Sequence, residues 1–266
     1  MLDLPALHHR VDVAVFGGSG FYTFADHLEP VSVETPYGPP SAPAMVGEIG
    51  GRSVAFLARH GEGHSVPAHR VNYRANVWAV AALGARALVA PFACGSLRPE
   101  LARGDLVVVD QFVDRTHSRD GTFFDGPETF HVPLADPYDR QLGAELAEHA
   151  RAIGLTVHEG GTVVVIPGPR FSTRAESAWH ARMGWDLVNM TQAPEAALAA
   201  EAGLAFVGIG LVTDYDAGIE DDPSIAPVTQ EEVFGFLAAN ADHMRQLLHR
   251  ALPVLTLPER DQRPSV

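Results

Sequence analysis

The chain has 266 residues, 46% of them apolar, with 33 acidic against 19 basic side chains and a formal net charge of −14. Such a surface repels nucleic-acid phosphates, and no apolar run reaches the roughly 18–20 residues of a membrane-spanning helix, so neither nucleic acid nor membrane is an expected partner. The single cysteine, Cys94, excludes an intrachain disulfide and a cysteine zinc site.

In chain order, the first strand-like run is VDVAVF (11–16), and the glycine-rich GGSGFY follows it. SVAFLA (53–58) leads into RHGEGH, and NYRANVWAVAAL (72–83) reads as a helix. ALVAPF (87–92) runs into ACGSLRPE, and DLVVVD (105–110) is the fourth strand-like run. A helix over 139–154 and a strand TVVVI (162–166) precede PGPRFSTR. A helix over 173–184, a strand DLVNM (186–190), a helix over 194–203 and a long apolar strand over 204–212 follow. The last helix spans 229–252, and the polar tail 256–266 is expected to fray. Thr173 with Glu176 reads as a capping box, Pro194 with Glu195 suits a first helical turn, and Gly154, Gly184 and Gly203 are plausible stops.

Several strands are apolar throughout, as strands covered on both faces are. The alternation predicts an α/β chain, one domain over 1–266, with a central mixed, largely parallel sheet flanked by helices. In such folds ligands bind beyond the carboxyl ends of the strands. There the sequence collects Ser19 in a glycine turn, Arg59 and His60, Phe171 and Ser172, Met190 and Thr191, and the segment TDYDAG. Arg59 offers a planar fork for phosphate or carboxylate, and His60 a second donor. Phe171 is either a staple on the following helix or a stacking surface for a planar ligand. At a strand's two-residue period Asp214 and Asp216 point the same way. Such a pair is a solvated rim, a metal site, or a site whose ligand brings the donors. The histidines form no zincin motif, so a metal is not expected, and no G-x-S-x-G elbow supports a serine nucleophile. Cys94, in PFACGSL, reads as a small buried residue.

From about residue 12 to 250, and in matching order, GGSGFY, ARHGEGH…NYRANVWA, ACGSL, DQFVDRT, GPRFSTRAES, NMTQAPEAALA and VTDYDAG resemble the 5′-methylthioadenosine phosphorylases, in the trimeric branch of the purine nucleoside phosphorylases. The resemblance implies reversible phosphorolysis of a purine nucleoside, inorganic phosphate as co-substrate with no cofactor, and a homotrimer with sites at subunit interfaces. It implies phosphate contacts at Ser19, Arg59, His60, the Ala93 backbone and Thr191. Base and sugar contacts fall on Phe171, Ser172, Met190, Asp214 and Asp216, and His131 reaches a neighbouring subunit's site. Asp214 would be the acid that assists the departing purine. A carboxyl in a dry pocket beside another carboxylate should have a raised pKa. Asp216 would accept from a 6-amino group and disfavour a 6-oxopurine. Two departures stand out. Phe92 replaces a threonine of the eukaryotic members, and Gln230 enters a 5′ pocket that Val233 and Phe234 keep partly apolar. The alternatives are an adenosine- or 6-oxopurine-preferring phosphorylase, a nucleoside hydrolase and a non-catalytic nucleoside sensor. With no signal-like start, the expected compartment is the cytoplasm.

Overall fold

The computed structural model describes residues 11–18, 27–218 and 225–259. The first half of the chain forms β1 (Val13–Gly17), β2 (Glu29–Val31), β3 (Ala44–Ile49), β4 (Arg52–Ala58), α1 (Tyr73–Ala82), β5 (Ala87–Ser96), β6 (Leu106–Val108) and β7 (Gln111–Asp114). The second half forms α2 (Arg140–Ala152), β8 (Val157–Glu159), β9 (Thr162–Val165), α3 (Arg174–Arg182), β10 (Leu187–Asn189), α4 (Gln192–Glu201), β11 (Ala205–Asp214) and α5 (Gln230–Ala251). Every strand-like and helix-like run read from the sequence has its counterpart here. β2, β3, β7 and β8 are additional; they are short, and most of their residues keep some exposure, so no apolar run announces them.

The strands join one mixed sheet in the order β2-β3-β4-β1-β5-β10-β9-β7, from which β11, β6 and β8 branch. β1 runs parallel to β4 and β5, β11 parallel to β5, and β9 parallel to β10 and β7. β10 is antiparallel to β5, β6 to β11, and β3 to β2 and β4. β5 is the pivot. Ala87–Val89 pair with β1, while Gly95 and Ser96 pair with β10, so the sheet parts beside the middle of β5 where β1 ends. That parting is where the site lies.

Apolar side chains on the two faces form two large clusters. One packs Trp78, Val80 and Leu83 of the α1 region with Leu198 of α4 against Leu88 and Phe206. The other packs Leu142 and Leu146 of α2 with Leu247 and Leu248 of α5 against Val89 and Val207. Burying a Leu or Val completely contributes about 1.5–3 kcal/mol each, so these two layers hold the strand ends in register. The helices start and stop as their local chemistry dictates. Thr173 and Thr229 each accept from the residue three positions on, and Glu176 and Glu232 complete both capping boxes. Gly154, Gly184 and Gly203, each at positive φ, follow the last turns of α2, α3 and α4. At the start of the tail the Thr256 N–H donates to Glu145 Oε2 at 2.8 Å and Pro258 O accepts from Arg86 at 3.0 Å. Among the described residues no helix is long and apolar enough to cross a membrane.

Candidate active site

A cavity of about 400 Å³ opens at the parting of the sheet, beyond the carboxyl ends of β1, β4, β10 and β11 and over the second half of β5. Arg59, His60, Ala93, Phe171, Met190, Thr191, Asp214, Asp216, Gln230, Val233 and Phe234 all line it. The volume suits a small organic ligand. Ser172 stands just behind the lining, next to Asp216. Ser19 lies outside the described residues. His131 is exposed, in the segment between β7 and α2, and is not part of this lining.

Arg59 closes β4 and is 1% exposed. Its fork is already engaged: Nε and Nη2 donate to Oε1 and Oε2 of Glu195, at 2.5 and 3.0 Å, and Nη1 donates to Pro91 O at 3.0 Å. Of the five N–H groups, one on each terminal nitrogen remains, so Arg59 offers its outer edge to a ligand while Glu195 fixes the inner one. Glu195, fully buried, has its pKa pushed up by burial and drawn back by Arg59. A Cβ on Gly18 would stand 3.3 Å from Arg59 Nη1, so the Gly18 backbone approaches the guanidinium closely.

His60 differs from its expected role as a donor. Its Nδ1 lies 3.0 Å from Val66 O, and the Val66 N–H returns a bond to His60 O at 2.8 Å. A carbonyl only accepts, so Nδ1 carries the proton and Nε2 a lone pair. Burial, then the charge of Arg59, lowers the His60 pKa to about 3 and keeps the ring neutral. The ring stacks on His64 at 4.3 Å, and His64 meets Phe234 edge-on at 5.2 Å. The Arg59–His60 end of the cavity is thereby packed against its α5 wall.

Asn189 connects two further residues of this end. Its Nδ2 donates to Ala93 O at 3.1 Å, and its Oδ1 accepts from the backbone N–H groups of Thr191 and Gln192 at 2.6 and 2.8 Å. The Thr191 hydroxyl makes only a long 3.4 Å contact with Asn189 and remains available.

At the other end, β11 stops at Asp214, and Asp216 sits in a turn with φ of +50°. The carboxylates therefore converge through a turn, not through the strand's two-residue period. The pairing of β11 with β5 shifts register between Val212 and Asp214, and the Asp216 N–H donates to Asp214 Oδ1 at 2.7 Å. An Asx-type turn of this kind suits an aspartate at positive φ. Thr213 Oγ1 donates to Asp214 Oδ2 at 2.6 Å. Burial raises the Asp214 pKa to about 6, against the opposing hydrogen bonds from Thr213 and the Asp216 backbone. The charge of Asp216 adds less than the sequence argument gave it. Asp216 itself is 3% exposed and its pKa is raised, again by burial first. Ser172 and Ser177 stand near enough to draw it back, yet neither directs a well-formed bond at Oδ2. That oxygen and Ser172 Oγ are both buried without a partner. Gly95 leaves room for the pair, since a Cβ there would lie 2.8 Å from Asp214 Oδ1 and 3.0 Å from Asp216 N.

Between the two ends, Phe171 lies at the cavity edge, 36% exposed. Phe92 turns its ring toward Gly210 on β11, where a Cβ would stand 2.9 Å from Cε2. Cys94 is buried, as expected, and its thiol donates to Leu211 O at 3.4 Å. Gln230 opens α5 on the exposed side of the cavity, with Val233 and Phe234 one turn on. Among the described residues no cluster of three or more His, Cys, Asp or Glu is placed to hold a metal ion.

Residues 12–253 match the phosphorylase superfamily. The chain belongs to that superfamily. Among phosphorylases, it is 50% identical over 254 residues to a purine nucleoside phosphorylase of Streptomyces coelicolor, covering 92% of this chain and 90% of the relative. It is 51% identical over 242 residues to an S-methyl-5′-thioadenosine phosphorylase of Mycolicibacterium smegmatis, covering 90% of each. Its fold is that of the methylthioadenosine phosphorylase of Schistosoma mansoni in complex with adenine, with a TM-score of 0.86, 37% identity and 91% of each chain covered.

Proposed function

We propose that this phosphorylase cleaves 5′-methylthioadenosine with inorganic phosphate, giving adenine and 5-methylthioribose 1-phosphate. The observation that carries the reading is the base end of the cavity. There Asp214, an acid with a pKa of about 6, and the Asp216 carboxyl line the cavity wall side by side. A purine with a 6-amino group donates to the Asp216 carboxylate in this reading, and Asp214 in its protonated form supplies a proton to N7. The C1′–N9 bond then breaks with its electron pair on the base, and a phosphate oxygen forms the new bond to C1′ from the opposite face. General acid assistance of this kind is worth about 10²–10⁴-fold. At the other end, the outer edge of Arg59, the Thr191 hydroxyl and the backbone near Ala93 hold the phosphate, with His60 presenting a lone pair to a phosphate hydroxyl. Met190 lies against the ribose and Phe171 against the base. Ser19 joins the phosphate group in this reading, which needs no resident cofactor or metal.

The same reading makes the protein a cytoplasmic homotrimer in which His131 completes a neighbour's site. The exposure of His131 and its absence from the lining of its own chain's cavity support this. A second reading, preference for 6-oxopurines, has one observation in its favour: burial raises the Asp216 pKa, and a protonated Asp216 would donate to a 6-oxo group. Rates of base release from methylthioadenosine, adenosine and inosine at saturating phosphate separate the two. Methylthioadenosine is expected to be cleaved fastest; inosine cleaved fastest would refute the preference.

A further inference from the structure

Arg119 lies outside the cavity lining, in the irregular segment between β7 and α2, yet its guanidinium holds the cavity wall together. Nη1 donates to Met190 O at 2.8 Å and to Ala193 O at 2.6 Å, and Nη2 donates to Pro167 O at 2.8 Å. The plane of the group lies over the Tyr73 ring at 4.9 Å. The Tyr73 hydroxyl donates to Ala68 O at 2.8 Å and reaches Met190 O at 3.4 Å. Three separate chain segments therefore meet on one side chain. They are the turn that carries Phe171 and Ser172, the β10–α4 connection that carries Met190 and Thr191, and the approach to α1.

The segment that delivers Arg119 is itself tied down. Glu201, buried near the end of α4, accepts from Thr122 Oγ1 and from the Phe123 N–H, each at 2.7 Å. The charge of Arg119 is also felt beyond its hydrogen bonds. The bonds of Arg119 to Met190 O and Ala193 O bracket Thr191, which places the charge beside the proposed phosphate end, and it helps to draw down the pKa of His60 and of Glu195, the partner of Arg59.

We propose that Arg119 is a positioning residue, which clamps the carbonyls of Pro167, Met190 and Ala193 and so sets the base-facing turn against the sugar- and phosphate-facing wall. Its charge adds to the field in which phosphate binds. The proposal rests on the phosphorolysis reading for its kinetic consequences, but its geometric claim concerns the cavity wall and is tested apart from turnover.

Arg119→Lys keeps the charge and loses the planar fork, whereas Arg119→Met loses both. A displacement of about 1 Å at a reacting centre costs on the order of 10²-fold in rate. Both variants should therefore lose ~10–100-fold in kcat for adenine release, measured well below their melting temperatures. The Michaelis constant for phosphate should stay within ~3-fold in Arg119→Lys and rise ~10-fold in Arg119→Met, a split that loss of folding stability alone would not produce. Free adenine should bind ~10-fold more weakly to Arg119→Lys by calorimetry, because the turn that carries Phe171 is no longer fixed. Adenine binding needs neither phosphate nor turnover, so this arm stands or falls independently of phosphorolysis. Wild-type kcat and adenine affinity in Arg119→Lys would overturn the clamp, and an unchanged phosphate constant in Arg119→Met would overturn the role of its charge.

Discussion

Replacing Asp216 by asparagine should shift base preference from 6-amino to 6-oxo purines, and the geometry sets the size of the shift. In the proposed complex the Asp216 carboxylate, which lines the cavity, accepts a hydrogen bond from the 6-amino group. A hydrogen bond to a charged acceptor is worth about 1.5–3 kcal/mol, against about 0.5–1.5 for a neutral one, so recognition of adenine should weaken by ~1–2 kcal/mol. A 6-oxopurine instead sets its carbonyl against the carboxylate and leaves both unpaired, at a cost of about 1–3 kcal/mol. The amide of Asp216→Asn removes that penalty and can donate. Added together, these terms come to ~2–5 kcal/mol, or ~30–4,000-fold in relative kcat/KM. The lower half of that range is expected, because burial already raises the Asp216 pKa and the wild-type carboxyl can take up a proton to meet a 6-oxo group. The assay is kcat/KM for methylthioadenosine and for its 6-oxo counterpart, which share the same sugar. A ratio that moves by less than ~3-fold would refute the assignment of Asp216 to position 6 of the base.

The pH profile should report Asp214. Its acid form is present below about 6 and is lost above it, so kcat/KM for methylthioadenosine should fall on the alkaline side with an apparent pKa near 6; a flat profile through that region would exclude the role. The same group affects stability with a definite sign. Because the folded pKa lies above its ordinary value of 3.8, the folded chain holds more protons between about 4 and 6, and stability falls as pH rises through that window by at most ~3 kcal/mol. Asp214→Asn should therefore melt higher than the wild type at pH 7 while losing activity, and a lower melting temperature would contradict the burial argument. Glu195→Gln leaves Arg59 buried without its counter-charge, which should cost on the order of 3 kcal/mol, and phosphate should raise its melting temperature more than that of the wild type. Equal melting temperatures for the variant and the wild type would refute the pairing. Gln230→Leu should raise the preference for methylthioadenosine over adenosine by ~10-fold, since an amide that can pair with a 5′-hydroxyl gives way to an apolar side chain; an unchanged ratio in competition assays would remove Gln230 from the 5′ pocket.

The legible part of this molecule was the part governed by local rules. β1, β9 and β11 are almost wholly buried and read as apolar runs, whereas β2 and β7 follow the edges of the sheet and carry no such pattern. Arg59, Thr191 and Asp214, singled out because α/β sheets place ligands beyond strand ends, line one cavity. The partners that hold them were not found. Glu195 lies 136 residues from Arg59, and its place beside Pro194 had a sufficient local explanation as a first helical turn. Arg119 lies 71 residues from Met190, in a segment with no periodicity to mark it. Asn189 ends an apolar strand, a polar residue where none was needed, and that was the available signal for a structural hub. His60 lines the cavity, but its tautomer was not legible, because it depends on the Val66 carbonyl.

The most direct test is to measure adenine release from methylthioadenosine with phosphate present and with phosphate scrupulously removed, while quantifying the sugar product. The account predicts no release without phosphate, and one 5-methylthioribose 1-phosphate for each adenine when phosphate is present. Adenine released at the same rate without phosphate, with free 5-methylthioribose as the product, would contradict it.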